Sequence, residues 1–268
     1  MYSGTTFRHK SGNIVGVHQR IDRVAKRHLA KKLPHGTFFP TTKDILHFEG
    51  KNGPDGIKTK SPGVDEPWHF ISPDADASDP LVTYITDHLY NLSRALAKRD
   101  EVRASFEAAW LAHAVTDGLT PAHHYPLADK VEELWGKPYN ERISTKDKIV
   151  IKGDNARDTL TKNWEYWGVK GVFTAHYMYE MGVSTAIATA RFKDIGLTDA
   201  DYERIEREGY VPYFLESVKA IDAMNTYQEF MQTGWTTYLA QVTRTELVPL
   251  IMKNVCLAWY AATKGIDY

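Results

Sequence analysis

From residue 79 onward the apolar residues of this chain recur at intervals of three and four, a period that only helices satisfy over such lengths. "SDPLVTYITDHLYNLSRALAKR" supplies Asp79 as an N-cap and Pro80 at the first helical position. "EVRASFEAAWLAHAVTDG" follows and runs to Gly118, read as a C-terminal stop. "KGVFTAHYMYEMGVSTAIATARF" reads as one long helix, mildly interrupted at Gly182, and three more are expected at about 198–208, 211–232 and 235–264. Upstream, "VHQRIDRVAKRHLAKKL" places Val17, Ile21, Val24, Ala25, Leu29 and Leu33 on one stripe, and Pro34 stops it. No strand-and-turn rhythm or internal repeat interrupts the pattern. The expected fold is all-α, a single multi-helix domain over residues 1–268.

Two stretches depart from the period. Residues 35–80 are dense in Gly, Pro, Asp and Lys and read as a long irregular loop, packed down by Phe38, Phe39, Phe48, Trp68 and Phe70. Residues 124–170 are mixed and polar, with short helical pieces at best, and read as an insertion.

Bulk properties exclude several function classes. A formal net charge of −1 gives no global field to draw in nucleic acid or an anionic membrane. The single cysteine, Cys256, rules out an internal disulfide framework, and its apolar helical setting makes it a packed, inert thiol. No apolar run approaches the roughly 18 residues needed to cross a bilayer. The N-terminal stretch lacks a continuous apolar signal region, so the chain is expected in the cytoplasm, or secreted if a leader has already been removed.

Histidine is the compositional anomaly, with eleven in the chain. His113 and Asp117 stand one helical turn apart on the stripe that also carries Phe106, Ala109, Trp110 and Ala114. His176 and Glu180 repeat the device on a second helix, beside Phe173 and Tyr177. A "GLTP" turn after Asp117 would fold His123 back over the end of its own helix. An isolated His–carboxylate pair of this spacing is commonplace on helix surfaces. Two pairs on apolar stripes are different, because a buried charge is costly unless paired or bound to metal. Imidazole and carboxylate converging between helices suit a polynuclear centre of Zn²⁺, with Mn²⁺ or Fe²⁺ as alternatives. Among the other histidines, His28 and His35 read as surface residues and His88 as packing or solvated. His124 reads as a neighbour of a ligand or a substrate contact, and His47 is a minor candidate.

The run H-x3-D-x5-H (His113, Asp117, His123), followed by H-x3-E (His176, Glu180), resembles the trinuclear-zinc family that joins bacterial zinc-dependent phospholipase C to the single-strand-specific zinc nucleases. His18 in an early helix, Asp55 in "NGPDGIK" and His69 in "PWHFISPDAD" extend the ordered match. The resemblance implies that Asp55, His69, His113 and Asp117 hold one zinc, and that His123, His176 and Glu180 hold a second. It gives His18 a third ion, with Asp117 bridging. In the family an N-terminal Trp completes that third ion through its amine and carbonyl. This chain begins Met-Tyr-Ser with no Trp before His18, so His9 becomes a candidate replacement. For the loop carboxylate, Glu49, Asp44 and Asp65 compete with Asp55, which offset and flanking glycine favour.

The reaction so implied is phosphodiester hydrolysis of the phospholipase C type, by metal-bridged hydroxide attacking phosphorus. Asp55 orients the hydroxide or takes its proton. The substrate would be a phospholipid head group or, as in the nucleases, single-stranded nucleic acid, with Trp68, Phe70 and Tyr125 as stacking surfaces. A choline-binding aromatic cage is not reproduced, since the relevant offsets carry Gly56 and Glu66. The alternative from another class is a non-catalytic helical domain that uses metal for folding.

Overall fold

The computed structural model describes residues 1–3, 16–58, 69–138, 141, 150–168 and 170–266. His9, Asp65, Glu66 and Trp68 lie outside them. Among the described residues the regular structure is helical and no strand forms. No helix among them is long and apolar enough to cross a membrane.

The long helices fall close to where the period puts them. They are α1 (Val17–Lys32), α4 (Pro80–Ala97), α5 (Glu101–Gly118), α8 (Val172–Ile187) and α13 (Val248–Lys264). Asp79 caps α4 by accepting from the Leu81 amide at 2.8 Å, with Pro80 behind it. Asp100 caps α5 in the same way through the Arg103 amide. Within 35–80 short helices form, α2 (Thr42–His47) and α3 (Pro54–Lys58), separated by a 3₁₀ turn at Gly50–Asn52. The Thr41 side chain starts α2 by accepting from the Asp44 amide. The polar stretch after residue 124 contains α6 (Leu127–Trp135) and α7 (Ala156–Trp167).

Two of the expected C-terminal helices are subdivided. The 211–232 region forms α10 (Tyr210–Ala223) and α11 (Thr226–Thr233), separated where Asn225 takes the left-handed conformation at φ 54°. Asparagine tolerates that conformation better than most residues. The 235–264 region runs from α12 (Thr237–Val242) through a π-helical turn at Thr243–Leu247 into α13. Pro249 in the first turn of α13 has no N–H to return to the preceding turn, which the wider turn accommodates. The remaining helix, α9 (Asp199–Glu208), begins with a capping box of Thr198 and Asp201.

The main core draws on both ends of the chain, from Met1 and α1 to Ala262. Helices α5 and α13 lie at its centre. In α5 every residue from Glu107 through Gly118 is buried. In α13 the run from Asn254 to Ala262 is buried on every face, as expected of a helix wrapped by others. Trp259 joins the two by donating its indole N–H to the Ala108 carbonyl at 2.9 Å. Burial pushes the Cys256 thiol up to about 12, so it is the inert packed thiol expected.

Candidate metal centre

Helix α5 ends inside the protein, and its last turn carries the hub of the site. Asp117 is buried and points its two carboxylate oxygens in different directions. Oδ2 lies 3.2 Å from His113 Nε2, one turn back on the same helix. Oδ1 accepts from the α-amine of Met1 at 2.7 Å and lies 3.4 Å from His18 Nε2. The same oxygen is 3.7 Å from His123 Nδ1. His123 reaches it because the turn after α5 closes through Thr120 N–H to the Asp117 carbonyl and His123 N–H to the Thr120 carbonyl. The fold-back read from "GLTP" is therefore present.

Helix α8 supplies the other side. Glu180 Oε1 lies 3.1 Å from His123 Nε2, 3.2 Å from His176 Nε2 and 3.4 Å from the Met1 amine. The His123 and His176 rings stack, with centroids 5.0 Å apart and planes at 5°. His18 and His113 stack likewise at 4.1 Å. Two compact groups result: His18, His113 and Asp117 form one, and His123, His176 and Glu180 the other. Each could hold a metal ion.

The donor spacing fits that use. Ligands about 2.0–2.1 Å from a tetrahedral ion stand about 3.3 Å from each other. The nitrogen–oxygen separations around Glu180 run from 3.1 to 3.4 Å, and Asp117 stands 3.2 and 3.4 Å from His113 and His18, with the Met1 amine closer at 2.7 Å and His123 further at 3.7 Å. The buried nitrogens His18 Nδ1, His113 Nε2, His123 Nδ1 and His176 Nδ1 have no hydrogen-bond partner. For His113 the unpartnered nitrogen is the one turned into the site.

The N-terminus enters the centre directly. Met1, Tyr2 and Ser3 are buried, held along the start of α1 by main-chain and side-chain bonds. The Val17 amide donates to the Tyr2 carbonyl at 2.8 Å, and Gln19 Nε2 donates to the Ser3 carbonyl at 2.6 Å. His18 Nε2 meets the Met1 carbonyl at 2.7 Å. Gly16 permits this approach, since a Cβ there would collide with the Gln19 side chain. The amine and carbonyl of Met1 thus sit beside His18 and Asp117, where the sequence reading left the third set of ligands incomplete.

Charge is strongly coupled across the site. Burial works against the ammonium of Met1, but Asp117 and Glu180 outweigh it and raise its pKa. Burial likewise opposes ionisation of Asp117 and Glu180, yet the Met1 ammonium and the neighbouring imidazoles hold both well below the carboxylate range. His123 is pushed down to about 4, by burial first, with the Met1 charge adding to it. It is therefore neutral at pH 7, the form in which imidazole binds a metal.

The loop carboxylates separate into two roles. Asp55 reaches the centre from α3, its Oδ1 3.8 Å from His113 Nε2, and its side chain is 22% exposed against 3% for Asp117. Glu49 is fully buried on the opposite edge of the His113 ring, with Oε1 3.3 Å and Oε2 3.4 Å from Nδ1. His69 stands next to His123, ring centroids 5.2 Å apart, on a segment tied to that turn by the Ile71 amide and the His123 carbonyl. Asp55 and His69 border the two compact groups without belonging to either.

Other sequence candidates take different places. Phe70 is buried among Leu127, Val131, Ile151 and Tyr166, so it walls the centre and offers no open stacking face. His47 is exposed and Asp44 bonds within α2's own cap. His88 is buried against Glu107, so of the two places left open to it, packed or solvated, it takes the first. His124 is partly buried, its Nε2 2.9 Å from the Gly118 carbonyl. Comparison with protein-family models, with curated proteins and with solved structures finds no match.

Proposed function

We propose that this chain is a zinc-dependent phosphodiester hydrolase, similar to the zinc-dependent phospholipases C. The observation that carries the reading is Asp117, buried at a helix end, with one oxygen toward His113 and the other toward His18, His123 and the Met1 amine. A structural metal site needs one closed set of ligands; a carboxylate shared between sets belongs to adjacent ions. His18, Met1, His113 and Asp117 would hold ions on one side, and His123, His176 and Glu180 on the other. Asp55 and His69 stand at the border of these groups as further ligands.

Adjacent zinc ions supply Lewis acidity and bring the ionisation of water near neutral pH. The chain's own part is positional. Asp55, the most exposed carboxylate of the set, would orient the attacking water and accept its proton, a role that its exposure supports. His123 and His176, stacked and held by Glu180, keep one side of the centre rigid. As oxygen bonds to phosphorus, the P–O bond to the leaving alcohol breaks, and no covalent enzyme intermediate is needed. The burial of Phe70 takes away one of the stacking surfaces a nuclease would use, which favours the phospholipid-like reading.

The test is metal content by plasma mass spectrometry on exhaustively dialysed protein, followed by hydrolysis of bis(p-nitrophenyl) phosphate, a dispersed phospholipid and single-stranded DNA. Two or three zinc equivalents, with hydrolysis lost on chelation and in Asp117→Asn, support the reading. Zinc bound without hydrolysis of any of the three leaves the non-catalytic domain. Absence of zinc uptake on titration ends the proposal.

A further inference from the structure

The Glu49 carboxylate lies against the edge of His113 that faces away from Asp117 and Asp55. Both of its oxygens are within 3.4 Å of Nδ1, so an Nδ1–H donates to the pair and leaves Nε2 as the basic nitrogen. Nε2 is the atom turned toward Asp117 and Asp55. We infer that Glu49 is a positioning residue for metal binding: it fixes the His113 tautomer and ring orientation so that Nε2 is presented to the ion. The inference rests on the metal-centre reading above.

The surrounding chain is built to keep that carboxylate where it is. Glu49 stands just past the C-cap of α2, Phe48, and the Gly50 amide donates to its Oε2 at 3.2 Å. The backbone then folds back so closely that a Cβ on Gly53 would come within 2.9 Å of the Glu49 Cα. A side chain at 53 would push the loop, and Glu49 with it, off the His113 ring. Glu49 is fully buried, and a buried carboxyl group is costly unless it is hydrogen-bonded, as this one is to His113 and the Gly50 amide. Partners of this kind raise the basicity of the ligating nitrogen, and their removal typically lowers metal affinity about 10–100-fold.

Sequence spacing made Glu49 a rival of Asp55 for the same role. The geometry gives them complementary ones, with Asp55 on the ion-facing side of His113 and Glu49 behind it.

Zinc affinity of the full-length protein, measured by competition with a chromophoric chelator, tests this in the wild type, Glu49→Gln and Glu49→Ala. The expected result is a fall of about 10–100-fold for one class of ion, with unchanged affinity for an ion at His123, His176 and Glu180. That unaffected class also reports that the variants are folded. Glu49→Gln keeps an acceptor for Nδ1–H and so retains more affinity than Glu49→Ala. Cobalt substitution adds a second readout, since a reoriented His113 changes the visible ligand-field bands. Wild-type affinity and unchanged bands in both variants would overturn the inference while leaving the metal centre intact. A wild-type protein that takes up neither ion would overturn both.

Discussion

At the scale of single residues, the centre is organised by groups that spacing reveals and groups that it cannot. His113, Asp117, His176 and Glu180 are legible because each puts an ionisable side chain where the helical period demands an apolar one, whereas His123 follows from the turn after Asp117 and His18 from the family resemblance alone. The six fall into the two compact groups of three described above. The Met1 amine and carbonyl are invisible to that logic, because every chain has them and no side chain announces their use. Their contribution to stability has a definite pH signature. The folded amine is raised above its ordinary 8.0, so its stabilisation is fully present below pH 8.0 and lost as pH rises through the raised value. Asp117 and Glu180 are depressed, so theirs is present above the ordinary carboxylate range and lost as pH falls through their folded values. Thermal unfolding of metal-free protein in chelator should therefore show a midpoint that declines above pH 8. Blocking the amine by acetylation should remove that part of the decline.

At the scale of elements, the period located the long helices well and their interruptions poorly. The left-handed Asn225 and the π-helical turn before Pro249 are local backbone events whose side chains still follow the helical stripe. Gly118 is instructive. Read as a helix stop, it is the last residue of α5, with Leu119 as the C-cap and no left-handed turn. Its glycine is required by packing, since a Cβ would lie 2.7 Å from Phe214 and 2.8 Å from Leu81. Gly118→Ala should accordingly destabilise the protein by about 1–3 kcal/mol, the usual cost of overfilling a packed core. Urea unfolding checks this; an unchanged midpoint would mean that α10 shifts freely. The stripe on α5 also understated its burial. A helix surrounded on all sides needs small residues more than a one-sided pattern, and Ala104, Ala108, Ala109, Ala112 and Ala114 provide them.

At the scale of the whole molecule, the all-α architecture was readable from the absence of any competing period, while the polar stretch after residue 124 was not. Its helices α6 and α7 join Phe70 and Tyr166 in a smaller apolar cluster, held by contacts distant in sequence. The larger core depends on the α5–α13 junction. Trp259→Ala would empty a fully buried site and strip the Ala108 carbonyl of its indole donor. A loss of about 3–5 kcal/mol is expected from equilibrium unfolding monitored by circular dichroism. The buried amine has a consequence for the order of assembly. Its partners lie 116 positions away at Asp117 and further still at Glu180, so this corner of the centre closes only when α5 and α8 have docked around residues 1–3. Bringing together segments that far apart costs chain entropy before any contact repays it, which makes the centre a late event of folding.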